Sequence, residues 1–125
     1  MSDPQALAVL CRDVVQRVGL QPVGELFHRF APESAGITGV VLLAESHLAV
    51  HTWPELAAVT LDVYVCNVGR DNSARARRLL ELLRAAFEPS AVEEHQLLRG
   101  GLLRSAAAAA APAACPSVNA SSKTE

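Results

Sequence analysis

Gly36-Ile-Thr-Gly-Val-Val-Leu-Leu-Ala-Glu-Ser-His-Leu-Ala-Val-His-Thr-Trp-Pro-Glu55 holds two strand patterns back to back. Val40 to Leu43 is a continuous apolar run of the kind that fills a central strand, and His47 to Trp53 alternates Leu48 and Val50 against Ala49 and His51. Pro54 ends the second strand. The segment also carries residue types that strand logic does not require. Ser46 and His47 interrupt the two apolar runs, and His51 shares a face with Ala49 and Trp53. Singly, each has a structural reading: a turn serine, a hydrogen-bonded histidine.

Working outward, Val59 to Cys66 alternates more cleanly, with Val59, Leu61, Val63 and Val65 on one face and Thr60, Asp62, Tyr64 and Cys66 on the other. Cys66 therefore lies on the more polar face, where a hydroxyl, an imidazole and a thiol could converge. Upstream, Val23 to Phe30 reads as a strand, followed by a loop through Pro32, Ser34 and Gly36. Before it, Leu7, Leu10, Cys11, Val14 and Val18 fall at helical spacing, with Asp3 as N-cap, Pro4 in the first turn and Gly19 as the stop.

Downstream, a second helix from Asn72 to Phe87 puts Ala76, Leu79, Leu80, Leu83 and Phe87 on one side and leaves Arg75, Arg78 and Glu81 for solvent. Asp71, Asn72 and Ser73 supply capping groups. Val92 to Arg99 is a last strand, ended by Gly100 and Gly101. Residues 104–125, an alanine run followed by Pro, Ser, Asn and Lys, have little apolar surface to anchor them and read as a disordered tail beyond one domain over residues 1–103. This order predicts an α+β fold, a two-layer α/β sandwich with a mainly antiparallel sheet and helices on one face. The other face is left for a ligand or a second subunit.

The 125 residues suffice for one small core, and a net charge of −2 gives no electrostatic reason to expect a nucleic-acid or anionic-membrane partner. No stretch approaches membrane-span length and no basic, apolar leader opens the chain. Cys11, Cys66 and Cys115 form no CxxC pair, which argues against a metal site and fits a reducing compartment. A cytoplasmic protein that binds a small molecule is expected.

Leu43-Ala-Glu-Ser-His47, then His51-Thr-Trp-Pro-Glu55, then Asp62 with Cys66, resembles the signature of the prokaryotic S-adenosylmethionine decarboxylase proenzyme family. The likeness is long, ungapped and centred on reactive groups. It reaches back through Gly36-Ile-Thr-Gly39 to Phe27-His-Arg-Phe30 and covers roughly residues 20 to 100.

The resemblance implies a covalent pyruvoyl cofactor made from Ser46 by autocatalytic cleavage of the Glu45–Ser46 bond. A β chain of residues 1–45 and an α chain of residues 46–125 would result. It assigns processing proton transfer to His51, a supporting hydroxyl to Thr38, and the proton-donor role to Cys66. Phe30 would stack on adenine and Glu55 would take ribose hydroxyls. The substrate would be S-adenosylmethionine, bound to the pyruvoyl carbonyl as a Schiff base and decarboxylated to the aminopropyl donor of spermidine synthesis. A homodimer with an αββα arrangement is implied as well.

Family members usually open with an extra strand of Gly-x-His-Leu type, whereas this chain starts at the helix, which should expose a sheet edge. Two rival readings are a pyruvoyl-dependent arginine or ornithine decarboxylase and an inactive, uncleaved regulatory paralogue. A thiol hydrolase built on Cys66 and His51 has no acyl-binding signature to support it.

Overall fold

The computed structural model describes residues 3–31, 36–66, 71–99 and 115–123. Chain order is α1 (Pro4–Arg17), β1 (Pro22–Arg29), β2 (Ile37–Leu43), β3 (Ser46–Trp53), a 3-10 turn (Pro54–Leu56), β4 (Ala58–Tyr64), α2 (Ser73–Phe87), β5 (Ala91–Arg99) and β6 (Cys115–Lys123). The strands form one antiparallel sheet in the order β1-β2-β3-β4-β6-β5.

The period-two patterns decide which face is covered. Ile37, Val41 and Leu43 of β2, Leu48 and Val50 of β3, and Val59, Leu61 and Val63 of β4, followed by Val65, are buried. They share one core with Leu7, Cys11, Val14 and Val15 of α1 and Ala76, Leu79, Leu80 and Leu83 of α2. Both helices thus lie on one sheet face, as the alternation requires. The opposite face carries Thr38, Val40, His47, Ala49, His51, Asp62 and Tyr64, all half-buried.

Local chemistry fixes the helix ends. Asp3 accepts from the Gln5 N–H at 3.0 Å and Pro4 occupies the first turn of α1. Gly19 then turns the chain in a left-handed conformation at φ +78°. At the start of α2, Asn72 occupies the cap position without a side-chain cap bond, while Asp71 accepts from the Ser73 N–H at 2.9 Å. That hydrogen bond holds the Asp71 carboxyl below its ordinary pKa. An Arg12–Glu25 ion pair ties α1 to β1.

The expected disordered tail is corrected for residues 115–123. They form β6, paired with β4 from Ala58↔Lys123 to Tyr64↔Ser117 and with β5 from Ala91↔Lys123 to Arg99↔Cys115. Ladder pairing satisfies backbone N–H and C=O groups whatever the side chains, so a segment rich in serine can occupy a slot that would otherwise leave two unpaired strand edges. The alanine run lies outside the described residues. Among the described strands, β1 and β5 are the outer ones. Among the described residues, no helix is long and apolar enough to cross a membrane.

Candidate active site

A two-residue loop, Ala44-Glu45, joins β2 to β3, closed by the pair Leu43↔Ser46. Glu45 is exposed and Ser46 half-buried. Ser46 faces the same way as its partner Leu43, toward the helix layer, and opens on a cavity of about 480 Å³ that Cys66, Asn72 and Arg75 also line. The hairpin is sharp, and neither of its loop residues takes a left-handed conformation. Among the described non-glycine residues, only Ala57 and Glu88 have positive φ.

With the register fixed by that hairpin, Thr38 stands opposite His51. Thr38 Oγ1 and His51 Nδ1 share a hydrogen bond of 3.1 Å in a half-buried setting. Trp53 lies two residues on, its ring centroid 6.5 Å from His51 and 6.1 Å from Phe30. Phe30 is held by its N–H donating to the Gly36 carbonyl at 2.8 Å, and His28 meets its edge at 6.2 Å. Glu55 is exposed in the 3-10 turn that follows. Phe30, Thr38, His51, Trp53 and Glu55 therefore gather at one end of the sheet.

Ser46 and Cys66 are at the other end. Along β3, five residues separate Ser46 from His51, roughly 17 Å at strand rise, and the odd spacing puts them on opposite faces. The expectation that hydroxyl, imidazole and thiol converge within one chain is thus corrected: Ser46 joins Cys66, His51 joins Thr38, and the two sets do not meet. The apolar runs on either side of Ser46 obscured this, because they gave the strands without the register.

Arg75 corrects a second expectation. Rather than facing solvent, it is half-buried in the wall of the Ser46 cavity, its Nη1 donating to Asn72 Oδ1 at 3.1 Å. Asn72 Nδ2 in turn donates to the Cys66 carbonyl at 3.0 Å. Helical spacing alone could not reveal this, since the position falls at the margin of the polar face. His47, which the sequence left without a role, has Nε2 3.5 Å from Asp62 Oδ2 and its ring 5.6 Å from that of Tyr64. Cys11 is a core residue, and burial raises its thiol pKa to about 12.

Fold and groups together define a small α+β protein with a hydroxyl and a thiol at one end of an antiparallel sheet and an imidazole with aromatic rings at the other. The family model described as S-adenosylmethionine decarboxylase matches residues 1–100, and the chain belongs to that family. It is 34% identical over 91 residues to the S-adenosylmethionine decarboxylase proenzyme of Archaeoglobus fulgidus, covering 73% of this chain and 76% of the relative. The proenzyme of Picrophilus torridus is 33% identical over 104 residues, 83% of this chain and 75% of that one. Among solved structures, the adenosylmethionine decarboxylase of Aquifex aeolicus superposes with a TM-score of 0.61 at 31% identity, over 70% of this chain and 67% of the other.

Proposed function

We propose that this chain is a pyruvoyl-dependent S-adenosylmethionine decarboxylase that matures by cutting itself between Glu45 and Ser46, giving chains of residues 1–45 and 46–125. The observation that carries the reading is the position of Ser46 in a family member: at a two-residue hairpin, beside a cavity it shares with Cys66.

Processing is an acyl shift followed by an elimination. Ser46 Oγ attacks the Glu45 carbonyl carbon, the C–N bond breaks, and the chain becomes an ester with a free amine at residue 46. A proton then leaves Ser46 Cα and the Cβ–Oγ bond breaks, so Glu45 departs as a carboxylate and residue 46 becomes dehydroalanine. Water adds, ammonia leaves, and a ketone remains. His51 suits the proton transfers: with Nδ1–H donating to Thr38 Oγ1, Nε2 keeps the lone pair that accepts a proton.

The cavity fits a ketone at position 46, having room for a small polar group and a thiol alongside. A pyruvoyl group formed at residue 46 would supply an electron sink for the pair left when carbon dioxide departs from a substrate amine bound there. Cys66, half-buried at the same cavity, would return a proton to the α-carbon. Phe30 and Trp53 offer a stacking surface for adenine, and exposed Glu55 offers a carboxylate for ribose hydroxyls.

The separation of the two sets supports a homodimer with shared sites. Two chains pairing as four layers, αββα, would bring His51, Thr38, Phe30 and Glu55 of one copy to the hairpin end of the other, where Ser46 and Cys66 lie. A cytoplasmic location agrees with this chemistry. The relatives' names favour S-adenosylmethionine over arginine or ornithine as substrate. The test is carbon dioxide release from labelled S-adenosylmethionine, arginine and ornithine by the purified protein. Release from S-adenosylmethionine, blocked by a carbonyl reagent, is expected. Release from another of the three alone, or insensitivity to the reagent, would overturn the assignment.

A further inference from the structure

Self-cleavage alters the charge of one cavity. The Glu45 carbonyl is neutral in the intact chain and becomes a carboxylate at the new C-terminus, while the ketone left at residue 46 carries no charge. One negative charge therefore appears beside Ser46, in addition to the Glu45 side chain. Among the described residues lining this cavity, Arg75 is the sole cation.

The setting of Arg75 differs from that of the other arginines whose side chains are described, of which Arg17, Arg29 and Arg77 are exposed. Arg12, Arg78 and Arg84 each pair with a glutamate. Arg75, half-buried, makes no ion pair among the described residues and is held by the neutral Asn72 side chain at 3.1 Å. Asn72 fixes it relative to the thiol strand through its 3.0 Å bond to the Cys66 carbonyl. Gly19 flanks the guanidinium, where an added Cβ would lie 3.7 Å from Arg75 Nε. The guanidinium is thus positioned before cleavage, with donors to spare for a planar carboxylate.

Building on the self-processing reading, we infer that Arg75 is the counter-ion of the carboxylate that cleavage creates at Glu45. The pair keeps the end of the residue 1–45 fragment seated at the cavity wall. It also neutralises a charge that would otherwise repel the carboxylate of an incoming amino-acid substrate. Arg75 is a positioning residue in this scheme, needed by the cleaved protein and not by the intact one.

The test compares thermal midpoints of four full-length proteins: processed wild type, processed Arg75→Gln, uncleaved Ser46→Ala, and the Ser46→Ala/Arg75→Gln double variant. The inference expects Arg75→Gln to lower the midpoint of the processed form by about 4 °C or more and that of the uncleaved form by about 1 °C or less. Arg75→Lys should restore part of the loss. Equal shifts in both backgrounds would overturn the assignment, as would unchanged midpoints with a raised KM for S-adenosylmethionine, which would give Arg75 to the substrate. Should Arg75→Gln not cleave, salt decides: 1 M sodium chloride should lower the midpoint of processed wild type relative to Ser46→Ala, and equal salt responses would overturn it. Absence of cleavage in wild type would instead count against the self-processing reading itself.

Discussion

Thr38 and His51 are thirteen residues apart in sequence and 3.1 Å apart in space, and that pair carries the proton-transfer part of the account. Removing the imidazole removes the acceptor, whereas removing the hydroxyl only releases the ring. His51→Ala should therefore slow cleavage by about 10² or more, and Thr38→Ala by roughly tenfold, with Thr38→Ser close to wild type. Timed denaturing gels of freshly made protein measure both rates. Cys11 and Cys66 differ in their exposure. Cys11 is neutral in the fold, its thiol raised from 9.0 to about 12 by burial. The unfolded chain gives up that proton near pH 9, so the stabilising contribution is complete below pH 9 and is lost as pH rises through about 12. Stability should fall over that window in urea titrations at increasing pH, and Cys11→Ala should flatten the decline. At neutral pH iodoacetamide should modify half-buried Cys66 ahead of Cys11, read by peptide mass.

At the scale of elements, the strands from β2 to β4 are legible because each buries one face, whereas β1 buries no residue fully and is read from its composition. Val59, Leu61, Val63 and Val65 announced their face from sequence, and the structure buries all four. The register was latent in the same residues: once Leu43 pairs with Ser46, Thr38 must face His51. What the pattern lacked was the length of the loop, and hence which side of the sheet each reactive group takes. β6 was illegible because strand propensity is weak in its serines and asparagine, and the ladder on both flanks does not need it. One close approach could also have been read only from the fold. Gly39 pairs with Phe27 across β1 and β2, and a Cβ at position 39 would overlap the Phe27 ring. Gly39→Ala should cost about 1–3 kcal/mol by urea denaturation, and adding Phe27→Leu should recover part of that loss.

The whole molecule presents two incomplete sets of functional groups rather than one site. Ser46 and Cys66 share a cavity, while Phe30, Thr38, His51 and Glu55 occupy the far end of the sheet. The likeness to the family proposes each of these residues for the site, but spacing alone could not reveal that five steps of strand set Ser46 and His51 apart. A shared dimer site makes a specific prediction. A Ser46→Ala chain, which keeps His51, should rescue cleavage of a His51→Ala chain when the two are made together. Differently tagged chains resolve the outcome on a gel: cleavage of the His51→Ala chain is expected, and its absence would confine processing to one chain.

The functional expectations depend on the fate of the bond between Glu45 and Ser46. Intact mass of the purified wild-type protein under denaturing conditions, beside a Ser46→Ala control, reads that fate directly. The account predicts two fragments from wild type, ending at Glu45 and beginning at residue 46, with the larger one reacting with a carbonyl reagent, and an uncut control. A single uncut wild-type chain, or cleavage that persists in Ser46→Ala, would contradict it.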